Sequence, residues 1–155
     1  YRKTAMLFEV AAHTGAVLAA ADSKKQQALC QLGSDLGIAF QLMDDLLDYE
    51  GSTSDLGKNV GDDLAEGKVT LPLIVALRNG SEPQRILIKR AIASGDSTEM
   101  AAILEAVRDT GGISYTLAQA EQAKDSALHN LEQIKPSAYR QAINDLVLFS
   151  VNRQN

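Results

Sequence analysis

The run Phe40-Gln41-Leu42-Met43-Asp44-Asp45-Leu46-Leu47-Asp48 holds the densest chemistry of the 155-residue chain. On a helix, Asp44 and Asp48 stand one turn apart on one side, their side chains starting about 5–6 Å from each other. Gln41 precedes Asp44 by three residues and shares that side, and Asp45 lies about 100° around and flanks it. Like charges at this spacing disfavour an isolated helix by roughly a few tenths of a kcal/mol. They also sit at the helix's C-terminal end, where the macrodipole disfavours anions. A bound cation would offset both penalties. Oxygen ligands without His or Cys select a hard ion, and Mg2+ is the natural candidate. The plainer alternative is a solvated acidic helix end. An EF-hand is excluded because the acids lack its alternating spacing. Glycoside hydrolysis fits poorly, since three acids on one helix do not place two carboxyls on opposite sides of a bond.

A second element follows in Leu56-Gly57-Lys58-Asn59-Val60-Gly61-Asp62-Asp63-Leu64-Ala65-Glu66-Gly67-Lys68. Lysines among glycines beside carboxylates suit a magnesium–diphosphate complex: the acids hold the metal, and lysines act as point charges on phosphate oxygens. A charged surface loop is the alternative for Lys58 or Lys68 taken singly. The P-loop spacing G-x-x-x-x-G-K-[ST] is absent. The charge distribution supports a local role. Asp44 to Glu66 carries eight acids against the single base Lys58, a net −7, while the remainder of the chain is +2 and the whole is −5. A nucleic-acid binder would concentrate the opposite sign on one face.

These residues need a helical frame, and apolar residues recur at helical spacing through nearly every segment. The pattern predicts an all-α chain of about seven helices, one domain or part of one. The first runs from Arg2 to Ala21, with Ala5, Phe8, Ala12, Ala16 and Ala19 on one face. The second runs from Ser23 to about Tyr49, with Leu29, Leu32, Leu36, Ala39, Met43, Leu46 and Leu47 inward. A glycine-bearing loop spans Glu50 to Gly67. Later helices run from Thr70 to Asn79, Ser81 to Ala93, Ser97 or Thr98 to Gly111, Ser114 to Ile134, and Ser137 to about Asn152. Their boundaries follow from early prolines Pro72 and Pro83, capping serines, and the stop before Pro136. Cys30 is alone, so no internal disulfide forms, which favours a reducing, cytoplasmic compartment. Leu29 and Leu32 around it suggest a buried apolar residue. No run approaches the roughly 18 apolar residues of a membrane span. His13 and His129 have no obvious partner, and no nucleophilic Ser or Cys stands beside a base.

Four blocks in order carry a resemblance. Tyr1-Arg2-Lys3-Thr4-Ala5 is similar to a K-T motif, and Phe40-Gln41 to Asp48 to an F-Q-x-x-D-D-x-x-D motif. Gly57-Lys58 through Asp62 to Gly67-Lys68 is similar to a G-K…D…K loop, and Thr70-Leu71-Pro72-Leu73 to the helix start after it. Together they resemble the trans-isoprenyl diphosphate (polyprenyl) synthase family, the loop in particular its long-chain bacterial, octaprenyl-type branch. The resemblance runs through essentially the whole chain but covers only the C-terminal half of a family member.

The resemblance implies the C-terminal half of the isoprenoid synthase helical fold. It also implies a prenyltransferase that joins an allylic diphosphate to isopentenyl diphosphate and releases pyrophosphate, here toward a long-chain all-trans polyprenyl diphosphate for a quinone side chain. Carried over residue by residue, Asp44, Asp45 and Asp48 hold Mg2+, and Asp62 supports that metal. Lys3, Lys58 and Lys68 grip the diphosphate, and Thr4 and Gln41 serve the allylic carbon beside Lys3. The family's first aspartate-rich motif does not occur in these 155 residues, so the chain alone is expected to lack synthase activity. Two other readings within the family stay open, a non-catalytic partner subunit of a heteromeric synthase and a shorter-chain geranylgeranyl or farnesyl synthase. A helical protein with a structural acidic loop is the reading outside it. A homodimer is expected, both from the resemblance and because a face along Phe8, Ala12 and Ala16 should be left exposed. Neither nucleic-acid binding nor stable membrane insertion is expected.

Overall fold

The computed structural model describes residues 4–50, 61–95 and 98–152. Among these residues there are eight helices and no strand: α1 (Ala5–Leu18), α2 (Ser23–Glu50), α3 (Asp62–Ala65), α4 (Leu71–Asn79), α5 (Glu82–Ser94), α6 (Met100–Asp109), α7 (Gly112–Leu131) and α8 (Ala138–Val151). Seven match the expected pattern to within a few residues. The eighth, α3, lies inside the segment read as loop. Four residues are too few for a 3.6-residue period to register, and glycines at positive φ bound it, Gly61 at 89° and Gly67 at 73°. The sequence signals at the helix starts are used as expected. Ser137 Oγ accepts from Arg140 N–H at 3.1 Å, and Gln84 Oε1 accepts from Ser81 N–H at 2.9 Å. Both satisfy donors that a helix N-terminus leaves orphaned.

The chain divides into two compact units, Tyr1–Met43 with Gln119–Gln154, and Asp44–Ala118. In the first, Leu32 and Leu36 of α2 pack with Ala127 and Leu131 of α7 and Val147 of α8, and Phe8 and Ile143 close over them. Each fully buried leucine contributes roughly 1.5–3 kcal/mol. α1 lies against α2 through glycine. A Cβ at Gly33 would fall 2.7 Å from Glu9 Cα, and one at Gly37 would run into the Ala5 backbone. The rings of Phe8 and Phe40 meet at 5.7 Å between centroids, tilted by 36°. Asp35 is buried, and its two oxygens accept from Gln31 Nε2 at 2.8 Å and Ser126 Oγ at 2.6 Å.

The expected exposed face is corrected here. Ala16 is buried, and Phe8 and Ala12 are half-buried, lining an apolar groove of about 320 Å³ with Leu29, Leu36 and Ile143. The large apolar residues of α1 that do face solvent are Met6, Leu7, Val10, Val17 and Leu18. α1 is apolar nearly all round, so spacing alone could not choose which face meets the core. Cys30 is part-buried, not fully buried. Burial and the neighbouring Glu9 push its thiol pKa up, which suppresses the reactive thiolate.

The second unit is built on Tyr49, Leu64, Leu73, Ala76, Ile88, Ala91, Ile103, Ala106 and Val107, contributed by α2 to α6. Leu64 of the short α3 is fully buried, which explains why so brief a helix holds its place. Gly61 has a positive φ that favours glycine, and a Cβ there would meet only the movable end of the Met100 side chain. Among the described residues no helix is long and apolar enough to cross a membrane.

Candidate functional site

The carboxylates belong to the second unit. The last two turns of α2 put Met43, Leu46 and Tyr49 into the core and leave Asp44 exposed, with Asp45 and Asp48 part-buried. The same periodicity that buries the apolar residues therefore presents the acids. Asp48 is the most perturbed of them. Burial pushes its pKa up from 3.8 to about 6, and the charges of Asp63 and then Asp62 add to that, while the backbone N–H groups of the same two residues pull it back. Its Oδ2 is buried with no hydrogen-bond partner among the described residues. A buried carboxylate oxygen without a donor, facing two further carboxylates, is costly in the absence of a cation.

The segment after Gly61 brings Asp62, Asp63 and Lys68 to this place. Gly61 N–H donates to Asp48 O at 3.0 Å. α3 then ends in a Schellman motif: Gly67 takes positive φ, Lys68 N–H donates to Asp63 O at 2.8 Å, and Gly67 N–H to Leu64 O at 2.9 Å. The Lys68 side chain folds back over the same turn. Its Nζ lies 2.7 Å from Asp63 Oδ1 and 2.7 Å from Glu66 Oε2, and these two bonds hold its pKa well above the usual lysine range. Among the described residues these engage two of the three ammonium donors.

At the far end of the segment, Tyr49 OH and Thr70 Oγ1 are 3.0 Å apart and buried. Burial pushes the Tyr49 hydroxyl pKa up, so it stays protonated.

In the first unit, Thr4 occupies the N-cap position of α1 yet makes no capping bond with its side chain. Its hydroxyl donates instead to Gln41 Oε1 at 2.5 Å. The two residues that the resemblance assigns to the allylic carbon are thus hydrogen-bonded to each other.

Of the sequence-derived candidates, Asp44, Asp45, Asp48, Asp62, Lys68, Thr4 and Gln41 are among the described residues, whereas Lys3 and Lys58 lie outside them. Asp63 is the residue that sequence reasoning missed. Its place in the acidic run suggests no separate role, yet it leads Asp62 in its effect on Asp48 and it holds Lys68. Its five-residue spacing from Lys68 across a glycine was the available signal. His129, read as partnerless, lies 3.5 Å from Glu132 Oε2 on an exposed helix face. Among the described residues no group of three or more His, Cys, Asp or Glu is arranged to hold a metal ion unaided. Mg2+ keeps water and is usually bound by one or two carboxylates together with substrate phosphates. The orphaned Asp48 Oδ2 and the all-oxygen donor set fit such an ion.

The polyprenyl synthetase family model matches residues 1–110. The chain is 43% identical over 154 residues to octaprenyl diphosphate synthase of Haemophilus influenzae, covering 99% of this chain and 47% of that protein. It is 41% identical to the octaprenyl diphosphate synthase of Escherichia coli, over 99% of this chain and 48% of that one. Among solved structures, polyprenyl synthase from Caulobacter crescentus, complexed with calcium and isoprenyl diphosphate, superposes with a TM-score of 0.87 at 40% identity, covering 99% of this chain and 47% of that one. Geranylgeranyl pyrophosphate synthase from Corynebacterium glutamicum, complexed with isoprenyl diphosphate and magnesium, gives 0.87 at 34% identity over 98% and 44%. The chain spans about half the length of the curated relatives it matches, and it shares their all-α fold.

Proposed function

The chain belongs to the polyprenyl synthetase family, and on that premise we propose that it is the diphosphate-binding C-terminal half of an octaprenyl-type, long-chain trans-polyprenyl diphosphate synthase. The observation that carries this reading is the orphaned, buried Asp48 oxygen beside Asp62 and Asp63, with an ordered lysine ammonium on the same segment. The backbone N–H groups of Asp62 and Asp63 tie the Asp48 carboxylate to α3, and that structural role still leaves Oδ2 unpaired.

In the proposed reaction the C–O bond of an allylic diphosphate breaks, and its electron pair leaves with the pyrophosphate. The isopentenyl double bond attacks the allylic cation to form a new C–C bond, and loss of one proton completes the addition. Asp44, Asp45 and Asp48 would hold Mg2+, with Asp62 in support and Asp63 now beside it. When bound, the ion supplies Lewis-acid neutralisation of the charge that develops on the departing diphosphate. Lys68, already oriented by Asp63 and Glu66, would give its third N–H to a phosphate oxygen, with Lys3 and Lys58 adding charge. By resemblance the Thr4–Gln41 pair would stabilise the cation through aligned dipoles. A homodimer and a cytoplasmic setting complete the proposal, the latter on the lone Cys30.

The test is calorimetric titration of the 155-residue chain with pyrophosphate, with and without Mg2+. Binding should require Mg2+, and Asp44→Ala and Lys68→Met should each weaken it about tenfold or more, the scale of one charge-assisted contact. Pyrophosphate binding that is indifferent to Mg2+ and to Asp44 would refute the site.

A further inference from the structure

The segment that carries Asp62, Asp63 and Lys68 is pinned at both ends to consecutive residues of α2. At its start, Gly61 N–H donates to the carbonyl of Asp48 at 3.0 Å. At its end, Thr70 Oγ1 meets the hydroxyl of Tyr49 at 3.0 Å. The second pin uses a residue placed to cap a helix. Thr70 is the N-cap residue of α4 in extended conformation, the place where a threonine hydroxyl normally accepts a backbone N–H of the helix it opens. No such bond is made. With Pro72 at the second position of α4 offering no N–H, the hydroxyl turns to a tyrosine 21 residues away in sequence. Tyr49 is only 1% exposed, and its ring packs in the same apolar cluster as the fully buried Leu64 of α3. Ring and hydroxyl therefore do separable things: the ring fills the core, and the hydroxyl fixes where the segment rejoins α4.

We propose that Tyr49 is a positioning residue, whose bond to Thr70 fixes the Lys68 ammonium relative to the carboxylates on α2 so that both can address one metal-bound diphosphate. This rests on the diphosphate reading given above. Lys68 is two residues from Thr70 and bonded to Asp63 through both its backbone and its side chain, so any slack at Thr70 reaches the ammonium directly. Displacements of about 1 Å are enough to weaken a preorganised electrostatic site severely.

The experiment uses Tyr49→Phe, Thr70→Val and the double variant, each measured for Mg2+-dependent pyrophosphate affinity by calorimetry and for melting temperature. Either single change should weaken affinity about three- to tenfold, the scale of one hydrogen bond, and the double should be no weaker than the singles because one link is lost in all three. Tyr49→Phe leaves a buried Thr70 hydroxyl unpaired and should lower the melting temperature, and the double variant, with both polar groups gone, should recover it. Recovered stability without recovered affinity is the signature of positioning. Affinity that returns together with melting temperature in the double variant overturns the proposal, as does a Tyr49→Phe chain that binds like wild type. If wild type itself shows no Mg2+-dependent binding, the diphosphate reading falls first and takes this one with it.

Discussion

Replacing Asp48 with Asn should let the metal-free protein gain stability on wild type as pH rises from acid to neutral. The folded chain holds the Asp48 proton more tightly than the unfolded chain, with a pKa raised from 3.8 to about 6 by burial and by Asp63 and Asp62. The folded state therefore binds more protons across that window, and wild-type stability falls as pH rises from about 4 through about 6. The full span corresponds to roughly 3 kcal/mol. The carboxylate is only half-buried, and solvent screening cuts that to about 1 kcal/mol. The Asp48→Asn side chain does not titrate, so it escapes this loss. Any fixed cost of its amide applies equally at every pH. Urea unfolding in chelator, at about pH 4 and about pH 7.5, should then show the variant gaining about 1 kcal/mol on wild type between the two, a change of roughly 2–4 °C in melting temperature. Mg2+ with pyrophosphate should oppose that gain at neutral pH by stabilising wild type alone. A stability difference that is flat across pH, or one in which wild type gains on the variant as pH rises, would refute the electrostatic account of Asp48.

Two further changes probe the first unit. Gly37→Ala places a methyl against the Ala5 backbone, where neither helix can give without opening the core. A loss of about 1–3 kcal/mol in denaturant unfolding is expected, and a neutral result would mean that α1 is not held against α2 as described. Ser126→Ala removes one of the two donors to the buried Asp35. It should cost about 1.5–3 kcal/mol at neutral pH, and a variant as stable as wild type would show that Asp35 is satisfied without Ser126.

Much of the fold was legible because its signals are local. Leu32, Leu36, Met43 and Leu46 recur at the helical period and are all buried. Ser81 and Ser137 stand where helices begin. α1 ends at Leu18, short of Ala21, because its alanines continue the helical pattern while the chain turns at Ala20 with φ of 49°. α3 was invisible because four residues contain one turn, and it persists through one buried leucine and two glycines. The site divided in the same way. The Asp44–Asp48 pair could be placed on α2 by counting, but the roles of Asp63, Tyr49 and Thr70 depend on pairings across 15 to 21 residues that no period encodes.

The order of residue types along the chain decided what chemistry is present: oxygen donors one turn apart, lysines set among glycines, no paired thiol and no nucleophile beside a base. It also decided that the donors would sit on helices, since helix periodicity is a property of neighbouring residues. Only the tertiary structure decided which acids face one another, that one Asp48 oxygen is buried without a donor, and that Lys68 is held between Asp63 and Glu66. It also turned the hydroxyls of Thr4 and Thr70 away from the helices they begin, toward Gln41 and Tyr49. Burial and charge–charge distance arise from segments meeting in space, and both were settled by the packing of Tyr49 and Leu64 into a common core.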